Sequence, residues 1–440
     1  MLHTLLLSMF ILVNPADAND EKEPSTSEIE TKIGAQIVLR PEFLFNPSSA
    51  TPAEGAQGVV RQGVRLSAAL KRGPLSVLAQ FQDVRNWGTE TSGLSIDPLA
   101  GLHQGYVQYE TGSKKEKWFQ LRIGRQEIRV ANGRFIAESP WQPAGRAYDG
   151  LRAKMRNGDT EAELFVAMTK TPNRFSVEVD DTTTSVSSPG DWLTILNLGQ
   201  YFGQTTELRG GMITLHQRQT EDKPTFGRDV IAPYLHLNTE PIEGLSLKVD
   251  TMVQAGSLND RQHFAWMAGT RLKYTVKKME MKPSVVLMYE QSSGEPCSGE
   301  YMSGANCSGD KSQAFFPFYG RNHYFRGIAD RVGGINVRDF GAGIGIKPTK
   351  GLSVGVDWHH FQLVDLKGAW YRNNGTVVGW DENNTQSGIG HEIDIRSTYK
   401  LKKMIFIQSA LTVFQPVGAG AAWTGTGPQV GAYVWTRFTL

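Results

Sequence analysis

Basic side chains recur on one parity of many short segments, so cations lie on one face of each segment. The planar guanidinium fork of arginine binds both oxygens of a carboxylate, and rings of Arg or Lys favour anions in a water-filled passage. The predicted chemistry is therefore the binding and guiding of anions. Alternation assigns to this polar parity the cations Arg40, Arg61, Arg65, Arg122, Arg152, Lys154, Lys248, Arg271, Lys273, Arg396 and Arg437, and the acids Glu42, Glu110, Glu163, Asp250, Glu392 and Asp394.

Each of these arginines also has a simpler alternative role. An arginine opposite Glu or Asp on the next strand stiffens a sheet through a cross-strand ion pair and contacts no solute. The balance of 46 basic against 44 acidic residues names no partner by itself, and no nucleic acid partner is predicted. The prediction therefore rests on the cluster of cations, which is densest in the first third of the chain.

The segments that carry these cations alternate polar and apolar residues with a period of two. Residues 118–126, for example, set Phe119 and Leu121 against Gln120 and Arg122. Successive side chains of a β-strand point to opposite faces, so each segment forms a strand with one apolar and one polar face. The same pattern recurs over residues 32–45, 245–255 and 389–396.

Two kinds of connection separate these segments. Short turn-like stretches alternate with long stretches that are rich in Gly, Ser, Asn and Asp. Short turns at one end and long loops at the other are typical of an outer-membrane β-barrel. The predicted long loops are residues 86–101, 176–191, 292–334 and 367–387.

The number of segments predicts an all-β, transmembrane antiparallel β-barrel of about 18 strands over residues 32–440, as one domain in the bacterial outer membrane. After the N-terminal segment, no stretch reaches the roughly 18 consecutive apolar residues that a membrane helix needs. A closed barrel is the other structure that satisfies all backbone hydrogen bonds within lipid. The apolar parity would then face outer-membrane lipid and the polar parity the lumen. The alternative is a soluble β-sandwich, but the abundance of apolar residues and the Trp and Tyr at strand ends favour the barrel.

Both ends of the chain carry signals for export and assembly. Residues 1–18 run through an apolar core to a small-x-small site, the order of a secretory signal peptide. Residues 19–31 are charged and Ser/Glu-rich, which predicts a disordered lead-in. The final strand, ending at Phe438 and Leu440, resembles the segment by which the barrel assembly machinery recognises bacterial barrels.

Groups suited to catalysis or to a cofactor are sparse. Cys297 and Cys307 lie in a Gly/Ser-rich stretch, where a close pair in an exported protein indicates a local disulfide. His359 and His360 point to opposite faces of one strand, so they do not form a joint metal site. A barrel enzyme is the alternative from another class, but no Ser lies in a recognisable nucleophile turn. We predict no enzyme activity, no cofactor and no metal. We expect the aromatic run 315–319 to stack on sugar rings, to pack its own loop or to meet the lipid interface.

The most distinctive part of the sequence lies between residues 124 and 152. It contains, in order, GRQE at 124–127, GR at 133–134, Trp141 and GRAYDGLR at 145–152. Further matching pieces are residues 79–87, 323–327 and 390–395. In this order the motifs resemble the alginate export family of outer-membrane barrels, from about residue 32 to the C-terminus.

The resemblance implies an eighteen-strand barrel with an electropositive lumen, through which an anionic uronate polysaccharide such as alginate leaves the periplasm by diffusion, with periplasmic exporter components as possible partners. It adds Arg125, Arg146 and Asp149 to the candidate pore-lining residues. Glu392 and Asp394 also match, and they either line the pore or hold arginines in place. A nutrient porin that takes up small acids or oligosaccharides is the second functional hypothesis.

Overall fold

The computed structural model describes most of the chain beyond residue 27. The predicted signal peptide, 1–18, and residues 19–27 of the predicted lead-in lie outside the described residues. The described ranges are 28–45, 56–87, 99–113, 116–170, 173–179, 182–188, 190–218, 227–259, 261–297, 307, 309–373 and 375–440.

Eighteen strands form the wall of the barrel, and we number only these, in chain order. They are β1 (Glu30–Phe45), β2 (Ala56–Arg72), β3 (Leu75–Trp87), β4 (Leu99–Gly112), β5 (Lys117–Gln126), β6 (Tyr148–Asn157), β7 (Thr160–Lys170), β8 (Asp191–Phe202), β9 (Thr206–Gln217), β10 (Arg228–Ile242), β11 (Leu245–Leu258), β12 (Arg261–Thr275), β13 (Ser284–Ser292), β14 (Val337–Thr349), β15 (Leu352–Leu363), β16 (Gly388–Leu401), β17 (Ile405–Pro416) and β18 (Gln429–Thr439). The first strand begins at Glu30, so the predicted lead-in extends two residues too far; Glu30 and Thr31 pair with Lys71 and Leu70 of β2.

The wall closes on itself. Each strand pairs antiparallel with the next, and β1 also pairs antiparallel with β18, where Gln36 lies opposite Thr439. Closure leaves no free strand edge, which satisfies the backbone in lipid. The predicted antiparallel barrel of about 18 strands is confirmed.

Apolar side chains cover the outside of this wall. On β14, for example, Phe340, Ile344 and Ile346 are 41%, 64% and 38% exposed and share one parity. Contiguous apolar surface on this scale marks contact with lipid or with another apolar surface. Among the described residues, no helix is long and apolar enough to cross a bilayer.

Most connections follow the predicted alternation of short turns and long loops. At the turn end, β2 and β3 are joined by two residues, Gly73 and Pro74. At the loop end, the predicted loop 176–191 differs from expectation, because Asn173–Val179 and Thr182–Ser188 pair there as an antiparallel hairpin. Residues of the predicted loop 86–101 from 88 to 98 lie outside the described part.

Two connections fold into the barrel instead of extending from it. Inner loop 1 (residues 127–147) joins β5 to β6, and inner loop 2 (residues 309–336) leads into β14. They pack against inward, buried side chains of β7 to β12 and form the largest apolar cluster of the protein with them. The wall contributes Phe165, Leu193, Ile195, Ile213, Leu215, Val230, Ala232 and Met252, and the loops contribute Val130, Phe135, Ile136, Phe315, Phe316 and Phe318.

This cluster corrects one expectation from the sequence. Alternation predicted that only the outward parity is apolar, yet β8 buries Leu193 and Ile195 inside while Leu196 and Leu198 are exposed outside. Both faces of such a strand are covered by apolar material, lipid on one side and the inner loops on the other. The aromatic run 315–319 packs its own loop within this cluster, in agreement with one of its three predicted roles.

Candidate functional site

The two inner loops form one unit across the lumen. The amide of Ala137 donates to the carbonyl of Tyr319 over 2.9 Å, and the amide of Arg321 donates to the carbonyl of Gly133 over 2.8 Å. Arg146, at the end of inner loop 1, also donates to the Tyr319 carbonyl. A solute that enters from the loop end therefore meets a barrier built from both loops together.

A buried carboxylate on the wall holds an arginine from each loop. Glu290 of β13 lies inward; one of its oxygens is 2.5 Å from Nη2 of Arg134, and the other accepts a hydrogen bond from Arg326. All three side chains are at most 7% exposed. Loss of the carboxylate would leave two buried cations without compensation, which costs far more than loss of a surface ion pair.

A second pair of carboxylates holds the backbone of inner loop 2. Glu392 accepts the amide of Ala329 over 2.9 Å, and Asp394 accepts the amide of Ile328 over 3.1 Å. Both acids lie inward on β16 but are 0% and 1% exposed. Their predicted contact with a solute is therefore wrong, because the loop covers them; they hold loop amides rather than arginines.

The tip of inner loop 1 docks where the first and last strands meet. The guanidinium of Arg40, on β1, lies 3.5 Å from the ring centroid of Trp141, and the ring of His323 stacks on Trp141 at 3.6 Å. The rings of Tyr433 and Trp435, on β18, approach Trp141 edge-on at 4.7 and 5.9 Å. Inner loop 1 thus crosses the lumen from the apolar cluster to the β1–β18 seam.

Beside this contact lies a cavity of about 790 Å³ at the loop end of the barrel. Its charged lining has more cations than acids, and Trp141, His323, Tyr324 and Tyr433 supply its aromatic wall. The cations are Arg61, Arg146, Arg321, Arg331 and Arg372, and the acids are Glu42 and Asp330.

Three of the cavity arginines lack an acidic partner among the described residues, and one of them, Arg146, donates to backbone carbonyls instead. Arg331 is 7% exposed and its Nη2 atom has no hydrogen-bond partner there, while Arg372 is exposed. Burial, together with the nearby charge of Arg372, lowers the pKa of Arg331 to about 10, so its guanidinium remains charged at neutral pH. An anion in the cavity would satisfy both groups.

Two other cavity arginines are neutralised by acids. Arg61 lies 2.6 Å from Glu42, which also pairs with Arg40 at 2.7 Å. Arg321 and Arg129 both bind Glu138. Burial favours the neutral form of Glu138, but the hydrogen bond from Arg129 and the charge of Arg321 outweigh it and hold the pKa of this carboxyl below its ordinary value.

Strand register places inward cations directly opposite one another three times. The opposed pairs are Arg40 with Arg61, Arg122 with Arg152, and Lys248 with Arg271. Like charges opposite each other destabilise a sheet, so their presence needs a compensating acid or a solute. In the described residues no acid lies within ion-pair distance of Lys248 or Arg271.

Four more inward candidates have partners within the wall. Arg122 stacks over the ring of Tyr106 at 4.0 Å and donates to Gln108 over 2.9 Å. Three ion pairs fit the wall-stiffening alternative: Arg152 to Glu163 at 2.6 Å, Lys154 to Glu161 at 3.4 Å, and Arg396 to Asp357 at 2.6 Å. Arg65 instead pairs with Glu127 of inner loop 1, at 3.3 Å.

Two candidates do not face the lumen. Arg125 and Asp149 pair with each other across β5 and β6 at 2.7 Å, on the same outward parity as Ile123 and Leu151, which are 55% and 39% exposed. Their prediction as pore-lining residues came from the matched motif and not from parity, and it is wrong because each lies three positions, an odd offset, from the inward Arg122 or Arg152.

Sequence analysis missed the loop residues of the site. Arg134, Arg321, Arg326, Arg331 and Arg372 all lie in connections, where strand parity assigns no direction. The order GR at 133–134 and HYFRG at 323–327 was the available signal, since it contains the two arginines that bind Glu290.

The cysteine pair forms a disulfide between Cys297 and Cys307. Glu295 joins these two residues in a cluster of three potential ligands, the one such cluster among the described residues. Both sulfur atoms are in the disulfide, so they are not thiolate ligands for a metal.

Comparisons with known proteins agree with this geometry. Residues 30–436 match the family described as alginate export, while no curated protein matches the chain significantly. Among solved Pseudomonas aeruginosa structures, OccK8 (OprE) is similar with a TM-score of 0.59, 12% identity, and coverage of 93% of this chain and 98% of that one. OpdK, solved with vanillate, has a TM-score of 0.58, 10% identity, and coverage of 93% of this chain and 98% of that one. OprD has a TM-score of 0.57, 12% identity, and coverage of 93% of this chain and 95% of that one.

At these identities the solved structures show the fold alone, an open-ended barrel shared over nearly the whole length of each chain. The family match shows membership as well as fold, because the matched residues 30–436 run from the start of β1 into β18 and include both inner loops. This chain therefore belongs to the alginate export family and is a channel of the bacterial outer membrane.

Proposed function

We propose that the channel passes anionic saccharides of the uronate class passively, and that its role is transport and not catalysis. The observation that carries the proposal is the cavity in which Arg331 and Arg372 have no acidic partner among the described residues. Arginine binds a carboxylate through two parallel hydrogen bonds, and aromatic rings beside it provide apolar contact for a sugar ring.

The second support is the opposed pair Lys248 and Arg271, deeper in the lumen. A low-dielectric wall focuses the field of such cations and raises the local concentration of anions. Family membership suggests uronate polymer as the cargo, delivered by periplasmic exporter components. The amphipathic strand β18 would be recognised by the barrel assembly machinery.

Neutralising the unpaired cations should weaken anion selectivity and saccharide block. We expect the double variants Arg331→Gln/Arg372→Gln and Lys248→Gln/Arg271→Gln each to shift the reversal potential in a KCl gradient toward cation preference. Loss of charged hydrogen bonds should raise the concentration of mannuronate or guluronate oligomers needed for half-block by about tenfold. Single-channel recording in planar bilayers measures both quantities.

Arg125→Gln is the matched control, because Arg125 is an arginine at the same end of the barrel that faces outward and pairs with Asp149. It should leave selectivity and block unchanged. Strong cation selectivity of the native channel, or equal block by neutral oligosaccharides, would contradict the proposal. Block by small carboxylates with none by oligouronates would point instead to an uptake porin.

The charge of the cavity should persist to high pH. Arg331 is protonated below its pKa of about 10, so its contribution is complete at pH 7 and declines as the pH rises through 10. Anion preference of the native channel should therefore exceed that of Arg331→Gln at pH 7, and the difference should shrink by pH 10.5. Reversal potentials of the two proteins across this range test the expectation; a constant difference would contradict it.

A further inference from the structure

The outward face of β13 to β16 carries a polar patch at the loop end of the barrel. These residues point away from the lumen, because their neighbours Glu290, Asp339, His359 and Glu392 are inward and buried. We call them the rim patch; they are Gln291, Arg338, His360, Gln362 and His391.

Arg338 presents unused hydrogen-bond donors on this patch. Its Nε donates to Oε1 of Gln291 over 3.0 Å, and the same oxygen accepts the hydroxyl of Tyr289 over 2.7 Å. Within the described residues, no acid pairs with Arg338 and its two terminal Nη groups have no hydrogen-bond partner. The guanidinium is thus oriented by the wall while its outer edge stays available.

Two histidines complete the patch beside Arg338. His360 and His391 lie opposite each other in register, with ring centroids 4.4 Å apart. The amide of Gln362 contacts Nε2 of His360 at 3.0 Å, which places the proton of a neutral ring on Nδ1. The Nδ1 atoms of both rings are buried, and neither has a partner in the part of the chain that the structure describes.

The rim patch lies directly above an apolar band. Phe340, Trp358 and Ile393 follow it on the same face and are 41%, 41% and 46% exposed. On β16 the band runs from Ile393 to Leu401, both exposed, or about 26 Å along the strand; at a strand tilt of about 40° this is about 20 Å of height, close to the roughly 25 Å of the lipid-facing band of such barrels. The rim patch is therefore at the level of lipid headgroups in the outer leaflet.

We propose that the rim patch binds the phosphate of an anionic lipid headgroup in that leaflet. Arg338 supplies two donors and a positive charge, and the aromatic and aliphatic side chains below contact the acyl chains. No acid shares the outward face with these groups among the described residues of β13 to β16, so the charge of the patch complements a phosphate. Basic residues beside an apolar band bind anionic lipid in this way.

The experiment compares diphosphorylated lipid A with its dephosphorylated form, each titrated onto the purified full-length protein in neutral detergent and counted by native mass spectrometry. We expect the phosphorylated lipid to bind more tightly. Arg338→Gln should weaken its binding about fivefold, the contribution of one cation at a membrane surface, and His360→Gln/His391→Gln should leave it unchanged, because the Nδ1 atoms of both rings are buried.

Arg125→Gln is again the control, since Arg125 faces outward at the loop end but already binds Asp149; it should leave lipid binding unchanged. All variants should keep the gel mobility of the folded barrel. Equal affinity for the phosphorylated and dephosphorylated lipids would overturn the proposal, and so would an equal loss of binding in Arg125→Gln. It would also be overturned if Arg338→Gln dissociated a dimer of the protein while the lipid phosphate had no effect on binding. Anion selectivity of the lumen is unaffected by Arg338→Gln, so this test is independent of the cargo.

Discussion

Replacing Glu290 with Gln should open the channel by releasing both inner loops. The carboxylate compensates two buried cations, Arg134 and Arg326, and an amide cannot. Breaking a buried ion pair on one side typically costs about 3–5 kcal/mol, and here one substitution leaves two arginines without their partner. We expect the docked state of the loops to lose free energy of this order and the unit conductance to rise.

Single-channel conductance and limited proteolysis of the inner loops measure the two consequences. Glu110→Gln is the control, because Glu110 is also an inward glutamate of the wall but accepts hydrogen bonds only from Gln108 and Gln120. Conductance and protease resistance that both remain at the native level in Glu290→Gln would show that the loops are held by other contacts.

A methyl group at Gly327 should displace inner loop 2 from β16. Gly327 has a φ of +57°, a conformation that costs other residues about 1–2 kcal/mol. A Cβ atom there would also lie 2.2 Å from Oε1 of Glu392, far inside van der Waals contact. Gly327→Ala should therefore break the bonds from Ile328 and Ala329 to Asp394 and Glu392, and leave two buried carboxylates without donors.

The control for this substitution is in the same loop. Gly309 also has a positive φ, +97°, but nothing lies within 4 Å of the position that its Cβ would take. Gly309→Ala thus reports the backbone strain alone. We expect Gly327→Ala to lower the thermal stability of the barrel and make its current noisy, and Gly309→Ala to do so much less; equal effects would show that strain, and not the contact with Glu392, accounts for the loss.

The wall could be predicted from the sequence because lipid imposes a simple rule on it. Every residue of a spanning strand faces either hydrocarbon or the interior, so a period of two carries both the strand and its direction. The rule assigned Arg40, Arg122 and Arg271 to the inside, where the structure places them. The rule did not predict which face of β8 points outward, because Leu193 and Leu196 are apolar on opposite faces. That loss of alternation was the signal that apolar loops fill the lumen beside β8.

The site was only partly predictable because its decisive contacts are long-range. Arg134 and Arg326 are far apart in the chain and meet only at Glu290, and no local pattern joins them. Motif position likewise misled at Arg125, since a matched motif does not tell which side of the wall a side chain takes. Parity would have corrected that assignment, and at strand positions it is the better guide.

The contact of Trp141 with Arg40, Tyr433 and Trp435 has a consequence for biogenesis. Tyr433 and Trp435 belong to β18, which follows every other wall strand in the chain, so the tip of inner loop 1 has no complete docking partner until β18 has met β1. A half-built barrel would thus lack its inner barrier, and completing the wall and narrowing the passage would be one step. The outer membrane would then never contain a closed barrel whose lumen is not yet narrowed by the inner loops.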